Sequence, residues 1–175
     1  MTVFGKGGKR TAHGHGFPFQ RVLYAVGGCN LDANFERTPG LDPSYNSLYT
    51  VNTKTGAFTR VGSTGTPQLF MDLEFDRHGQ MLGVTSTVNP SSIPAIPYRV
   101  EPATGKATKI VDLVGSTSVM GLAFGRRRDL YATDNLQRSG LYLVDPTTGF
   151  ETAVAALPFG SSSGLELVNP DFDEQ

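Results

Sequence analysis

An all-β fold made of repeated four-stranded units is what this sequence predicts, and three observations predict it. First, one turn recurs: SLYTVNTKTG ends at Gly56, PYRVEPATG at Gly105 and GLYLVDPTTG at Gly149. In the last of these Asp145 can accept backbone N–H bonds, Pro146 pre-sets φ, and Gly149 supplies the left-handed residue that lets a second strand fold back. Second, the recurrence has a fixed phase. Gly56 to Gly105 spans 49 residues, Gly105 to Gly149 spans 44, and Met81 to Leu130 spans 49 again. Four short strands in such a period match the dimensions of a propeller blade. Third, runs such as LYLV and KIVDLV are apolar on both faces, as a sheet packed between two neighbouring sheets requires.

Composition agrees and bounds the function. The 175 residues include 21 Gly, 11 Pro, 11 Phe and no Trp, a turn-rich β signature. A net charge of −1 argues against a polyanion-binding body, so no nucleic-acid partner is expected. The single cysteine, Cys29, excludes an internal disulfide framework. No apolar run approaches a membrane span, and the N-terminus has no signal-peptide core. The expectation is a soluble chain, cytoplasmic or part of an assembly such as a virion.

In order, residues 1–19 carry five glycines, with Lys6, Lys9 and Arg10 within five positions, and read as a flexible basic arm. Residues 20–168 hold the repeats. RVLYAV (21–26) is a strand, and the polar excursion 27–46 is long for a β connection. Strands at 47–52 and 57–62 flank the first recurring turn. Those at 72–76 and 81–85 flank a turn through Gly79, and those at 98–101 and 106–113 flank the second recurring turn. Strands at 121–124 and 129–133 enclose Arg126–Arg128, and 141–145 and 150–155 flank the third. GLELV (164–168) is a twelfth strand, and 169–175 form an acidic tail.

Twelve strands make three blades, but the count is offset, since the chain opens on a second strand and closes on a lone first one. Closed rings use about four to eight blades. The expectation is therefore a homodimer, two copies closing six blades by exchange of termini. Leu165 and Leu167 of one copy would line up beside Val22, Leu23 and Tyr24 of the other. Pairing with a different propeller fragment is the alternative.

The pattern LYxV(D/N)PxTGxxTxV followed by GLAF and LY resembles the bacterial propeller repeats of six- and seven-bladed WD40-like or NHL-like proteins, over roughly residues 21–168. The sequence departs from it at Arg128, where the equivalent hairpin has Gly79, and it has no Gly-His or Trp-Asp pair. The resemblance implies architecture. Through the chemistry such six-bladed rings often host, it also implies an alternative function, a metal-dependent lactonase- or lyase-like enzyme with its site at the channel mouth.

Strand order assigns the tight turns to one face of the ring and every long connection to the other, so a site is expected on the loop-rich face. The excursion 27–46 offers Asp32, Asn34, Glu36, Arg37, Asp42 and Tyr45 as binding residues. The spacing of Asp32, Asn34 and Glu36 imitates a calcium loop but lacks its glycine and its downstream glutamate. Asp72 is the one acid on the strands nearest the axis, and it either joins an acid/base pair or hydrogen-bonds neighbouring backbone. His13, His15, His78 and Cys29 do not make a structural zinc site. Ser161–Ser163 lack a nucleophile elbow, and the GKGG of residues 5–8 is no phosphate loop. No catalytic residue, metal or cofactor is assigned. The main expectation is a non-enzymatic scaffold that presents loops to a protein or glycan partner, a subunit of a larger assembly such as a filament, virion or surface layer tied in by its arm.

Overall fold

In the computed structural model the described residues are 3–8, 21–27, 46–66, 68–76, 79–86, 94–125, 129–134 and 140–157. They form twelve strands and no helix. These are β1 (Val3–Gly8), β2 (Arg21–Gly27), β3 (Ser47–Val51), β4 (Phe58–Ser63), β5 (Leu69–Phe75), β6 (Met81–Ser86), β7 (Ile96–Val100), β8 (Ala107–Lys109), β9 (Val119–Phe124), β10 (Leu130–Asp134), β11 (Gly140–Val144) and β12 (Glu151–Ala156). Each successive set of four makes one antiparallel meander, with sheet orders β1-β2-β3-β4, β5-β6-β7-β8 and β9-β10-β11-β12. The chain is an all-β propeller of three four-stranded blades.

The three recurring turns are one structure built three times. Gly56, Gly105 and Gly149 have φ of 72°, 79° and 73°. The amide of each donates to the carbonyl four residues back, on Asn52, Glu101 and Asp145, at 2.8 Å in every case. The side chain of that residue accepts from the turn: Asn52 from Lys54 N at 2.9 Å, Glu101 from Ala103 N at 3.2 Å and Asp145 from Thr147 N at 2.8 Å. Three residue types thus serve one Asx-like role, because what the turn needs is an acceptor oxygen at that position.

The blades pack face to face. Val26 and Leu48 of the first blade meet Phe70, Leu73, Met81 and Tyr98 of the second. The second presents Met71, Leu82 and Val84 from its other face to Val119, Leu122, Leu130 and Val144 of the third. Alternating side chains on one strand therefore serve two different cores, which is why the strands are apolar on both faces. The inner strands β1, β5 and β9 pack against one another in turn and lie nearest the axis.

Two expectations need correction. Residues 3–8 are not part of a strandless arm. They form β1, antiparallel to β2, with Gly5 opposite Tyr24, Lys6 opposite Leu23 and Gly7 opposite Val22. The backbone of a glycine-rich segment pairs as well as any other once a strand edge is offered to it, and no side-chain period announces this. The edge of β2 that strand exchange left for Leu165 and Leu167 is thereby taken within the chain, and residues 164–168 lie outside the described residues. Also, β8 is only three residues long. Residues beyond it leave the sheet to reach the third blade, where Val114 N donates to Gly149 O at 2.8 Å.

Candidate functional site

Buried polar groups collect at one end of the three blades. Among the described residues twelve polar or charged ones are buried, and all but Asp72 lie where the long connections enter and leave the blades. Asn46 and Ser47 open β3. Thr64, Thr66 and Gln68 form the link from the first blade to the second, and Ser116 and Ser118 form the link to the third. Thr85 and Ser86 end β6, and Thr133 and Asp134 end β10. The sequence carried a signal for part of this, since β6 and β10 both run from apolar residues into a terminal polar pair, Thr-Ser and Thr-Asp.

The floor is organised by hydrogen bonds. Asn46, whose φ of 48° is one that asparagine tolerates better than most residues, donates its amide to Thr66 O at 2.9 Å and also to Gln68 O. Thr64 Oγ1 donates to Asn46 O at 2.6 Å, and Thr85 Oγ1 donates to Gln68 Oε1 at 2.7 Å. Ser86 Oγ reaches across to Thr117 O at 2.8 Å, joining the second blade to the next link. Four oxygens remain without a hydrogen-bond partner among the described residues: Asn46 Oδ1, Ser116 Oγ, Ser118 Oγ and Thr133 Oγ1. A buried polar atom left so costs about 1–3 kcal/mol unless a ligand or water satisfies it. Among the described residues Asp134, fully buried, is the single carboxylate of the floor, and no Lys or Arg is buried there.

Asp72 belongs to a different place. It lies on the inner strand β5, and its Oδ1 accepts from Leu73 N at 2.9 Å while its Oδ2 accepts from Leu122 N on β9 at 3.0 Å. Of the two roles open to it, the structure shows backbone bonding, here between two blades. Asp32, Asn34, Glu36, Arg37, Asp42 and Tyr45 lie outside the described residues, as do His13, His15, His78, Cys29 and Ser161–Ser163. No group of three or more His, Cys, Asp or Glu among the described residues could hold a metal ion. The metal centre implied by the resemblance therefore has no fitting donor set among them.

The opposite end of the ring carries two hollows of about 340 Å³. One, between the second and third blades, is lined by Asp76, Gln80, Arg99 and Pro146 among others. The other lies beside the third recurring turn. Three acids line them: Asp76 accepts from Gln80 N at 2.8 Å, Asp145 is held below the usual carboxylate range by the Thr147 amide and then the Thr148 hydroxyl, and Asp129 stands beside Asp145 in the second hollow. These are crevices between adjacent turns. The polar floor at the other end is the candidate site.

No protein-family model matches the chain, and no curated protein matches it. Among solved structures it is similar to a gluconolactonase from Xanthomonas campestris, at 12% identity and a TM-score of 0.43, over 82% of this chain and 61% of that one. The chain thus spans about three-fifths of that protein's length. The expectation of a non-enzymatic scaffold subunit is corrected by this finding, because the solved propeller it is similar to is an enzyme.

Proposed function

We propose that this chain builds an enzyme-type propeller that takes a small, uncharged, hydroxyl-rich substrate of the lactone or ester kind at its polar end, with Asp134 as the proton-transferring group. The observation that carries this is the buried floor itself. Its described residues are rich in neutral hydroxyls and amides, several oxygens have no partner among them, and they include a single acid. Neutral donors and acceptors suit sugar-like hydroxyls, whereas a phosphorylated substrate would call for buried cations, of which the described residues of the floor have none. The blade pattern that resembles NHL-like rings favours the same assignment.

In the hydrolytic step the Asp134 carboxylate takes a proton from a water molecule as its oxygen adds to the substrate carbonyl carbon. The ring C–O bond then breaks, and the proton passes to the departing ring oxygen, leaving the hydroxy acid. Lactone and water give one product, with no change of oxidation state. General-base assistance of this kind is worth about 10²–10⁴ in rate.

The test is acid release from δ-gluconolactone followed with a pH indicator, alongside thermal shifts with uncharged and phosphorylated sugars. Turnover is expected in the presence of a chelator. Asp134→Asn is expected to lose about 10²–10⁴ of kcat/KM with an unchanged circular dichroism spectrum. Absence of both turnover and any uncharged-sugar shift would overturn the proposal. Activity abolished by the chelator would move the proton transfer from Asp134 to a metal.

A further inference from the structure

We infer that a second copy of this chain closes the ring, its first blade seated on the third blade of the other copy and the reverse, so that the polar end is shared by two chains. Each blade has a leading face, turned toward the preceding blade, and a trailing face, turned toward the following one. The leading face is the same object three times. Register pairs Met81 with Val100 and Gly83 with Tyr98 in the second blade, Leu130 with Val144 and Ala132 with Tyr142 in the third, and Leu23 with Val51 and Ala25 with Tyr49 in the first. In every blade the tyrosine and valine stand seven and five residues before the turn glycine.

Two of these faces are covered. Tyr98 and Val100 are buried against the first blade and Val144 against the second, and Tyr142 is buried as well. In the first blade the matching Tyr49 and Val51 are only half-buried, and Phe58, just past its turn glycine, is 51% exposed.

The turn glycines give an independent record of the same difference. A Cβ placed on Gly105 would lie 2.7 Å from Gly62 O of the preceding blade, and one on Gly149 would collide with Asp112 O of its own preceding blade. A Cβ on Gly56 would meet nothing within 4 Å. Gly105 and Gly149 are buried, and Gly56 is exposed. The first blade therefore carries the backbone close-approach device of its sisters with no blade described on that side.

The trailing side of the third blade is its counterpart. Leu141 and Leu143 are half-buried and Val154 of β12 is 53% exposed, whereas Leu48, the residue of the first blade that matches Leu141, is fully buried. The three described sheets leave one leading and one trailing face, and two copies match both reciprocally with two-fold symmetry. Six blades lie within the closed range of about four to eight, and three do not.

The experiment is solution mass by light scattering on the whole 175-residue chain, wild type and two glycine variants. Gly56→Asn places a side chain at the docking turn in a conformation asparagine tolerates. Gly65→Asn is the control, since Gly65 has φ 73° and likewise nothing within 4 Å but lies on neither face. Wild type and Gly65→Asn are expected at twice the 18.7 kDa chain mass and Gly56→Asn at half of that, with its β-sheet dichroism retained. If Gly56→Asn does not fold, Leu143→Arg on the opposite face carries the same expectation. A wild-type monomer, a trimer or larger species, or a dimer unchanged by the face variants would each overturn the inference.

Discussion

Asp72 sits where the sequence places an acid near the axis, and both of its oxygens accept backbone N–H groups, on Leu73 and on Leu122 of the neighbouring blade. A residue at 7% exposure in this role acts as a bolt between inner strands. Asp72→Ala is expected to lower unfolding stability by about 2–4 kcal/mol, because charge-assisted bonds are lost and the Leu122 amide stays buried. Urea denaturation of the two proteins measures it. Asp145 shows a different side of carboxylate chemistry. The Thr147 amide, then the Thr148 hydroxyl, hold its acidity below the usual range. A depressed folded value means that the turn's contribution is complete above the unfolded pKa of about 3.9 and fades as pH falls through and below it. Asparagine serves the equivalent turn at Asn52 without titrating. Asp145→Asn is therefore expected to keep the turn and to show a smaller drop in urea midpoint between neutral pH and about pH 3.

At the scale of single elements, the recurring turns are the best test of how closely local chemistry and packing agree. Gly65 and Gly149 share φ of 73°, yet only Gly149 abuts a neighbouring blade. Gly65→Ala is expected to cost about 1 kcal/mol, the left-handed penalty alone. Gly149→Ala is expected to cost about 2–4 kcal/mol, because overpacking against Asp112 and Val111 adds to it; thermal unfolding of both variants decides the comparison. The turns, their phase and the strands around them were legible because each depends on residues adjacent in sequence. What was not legible depends on partners distant in sequence. β1 has no alternation and too many glycines to read as a strand, and only the offered edge of β2 makes it one. The polar floor was half legible. The endings of β6 and β10 announce it, but Asn46, Gln68 and Ser116 become neighbours of those endings only after the blades stack. Asp134 lay one residue past the strand read at 129–133, and nothing local distinguishes it from an exposed acid.

On the scale of the whole molecule, the two ends of the three-blade stack differ in chemistry. One end is occupied by short turns whose side chains satisfy their own backbone, and the other gathers the buried hydroxyls, amides and Asp134. Substitutions in the turns are therefore expected to move stability and leave substrate handling alone, whereas those in the floor do the opposite where the atom concerned has no partner among the described residues. Thr133→Val is the sharpest case. Its Oγ1 is among those oxygens, so stability is expected to stay level or rise by up to about 1–3 kcal/mol, while affinity for the uncharged sugar falls in the thermal-shift assay.

Every sheet here takes its four strands from one unbroken stretch of chain, joined to the next by a single short crossing. Among the described residues no strand is borrowed from a distant part of the polypeptide to complete another's meander. A copying event that inserts or removes one such stretch would consequently change the circumference by one wedge without rethreading anything, as with beads on a bracelet. The geometry constrains the total only through the need for the last wedge to meet the first.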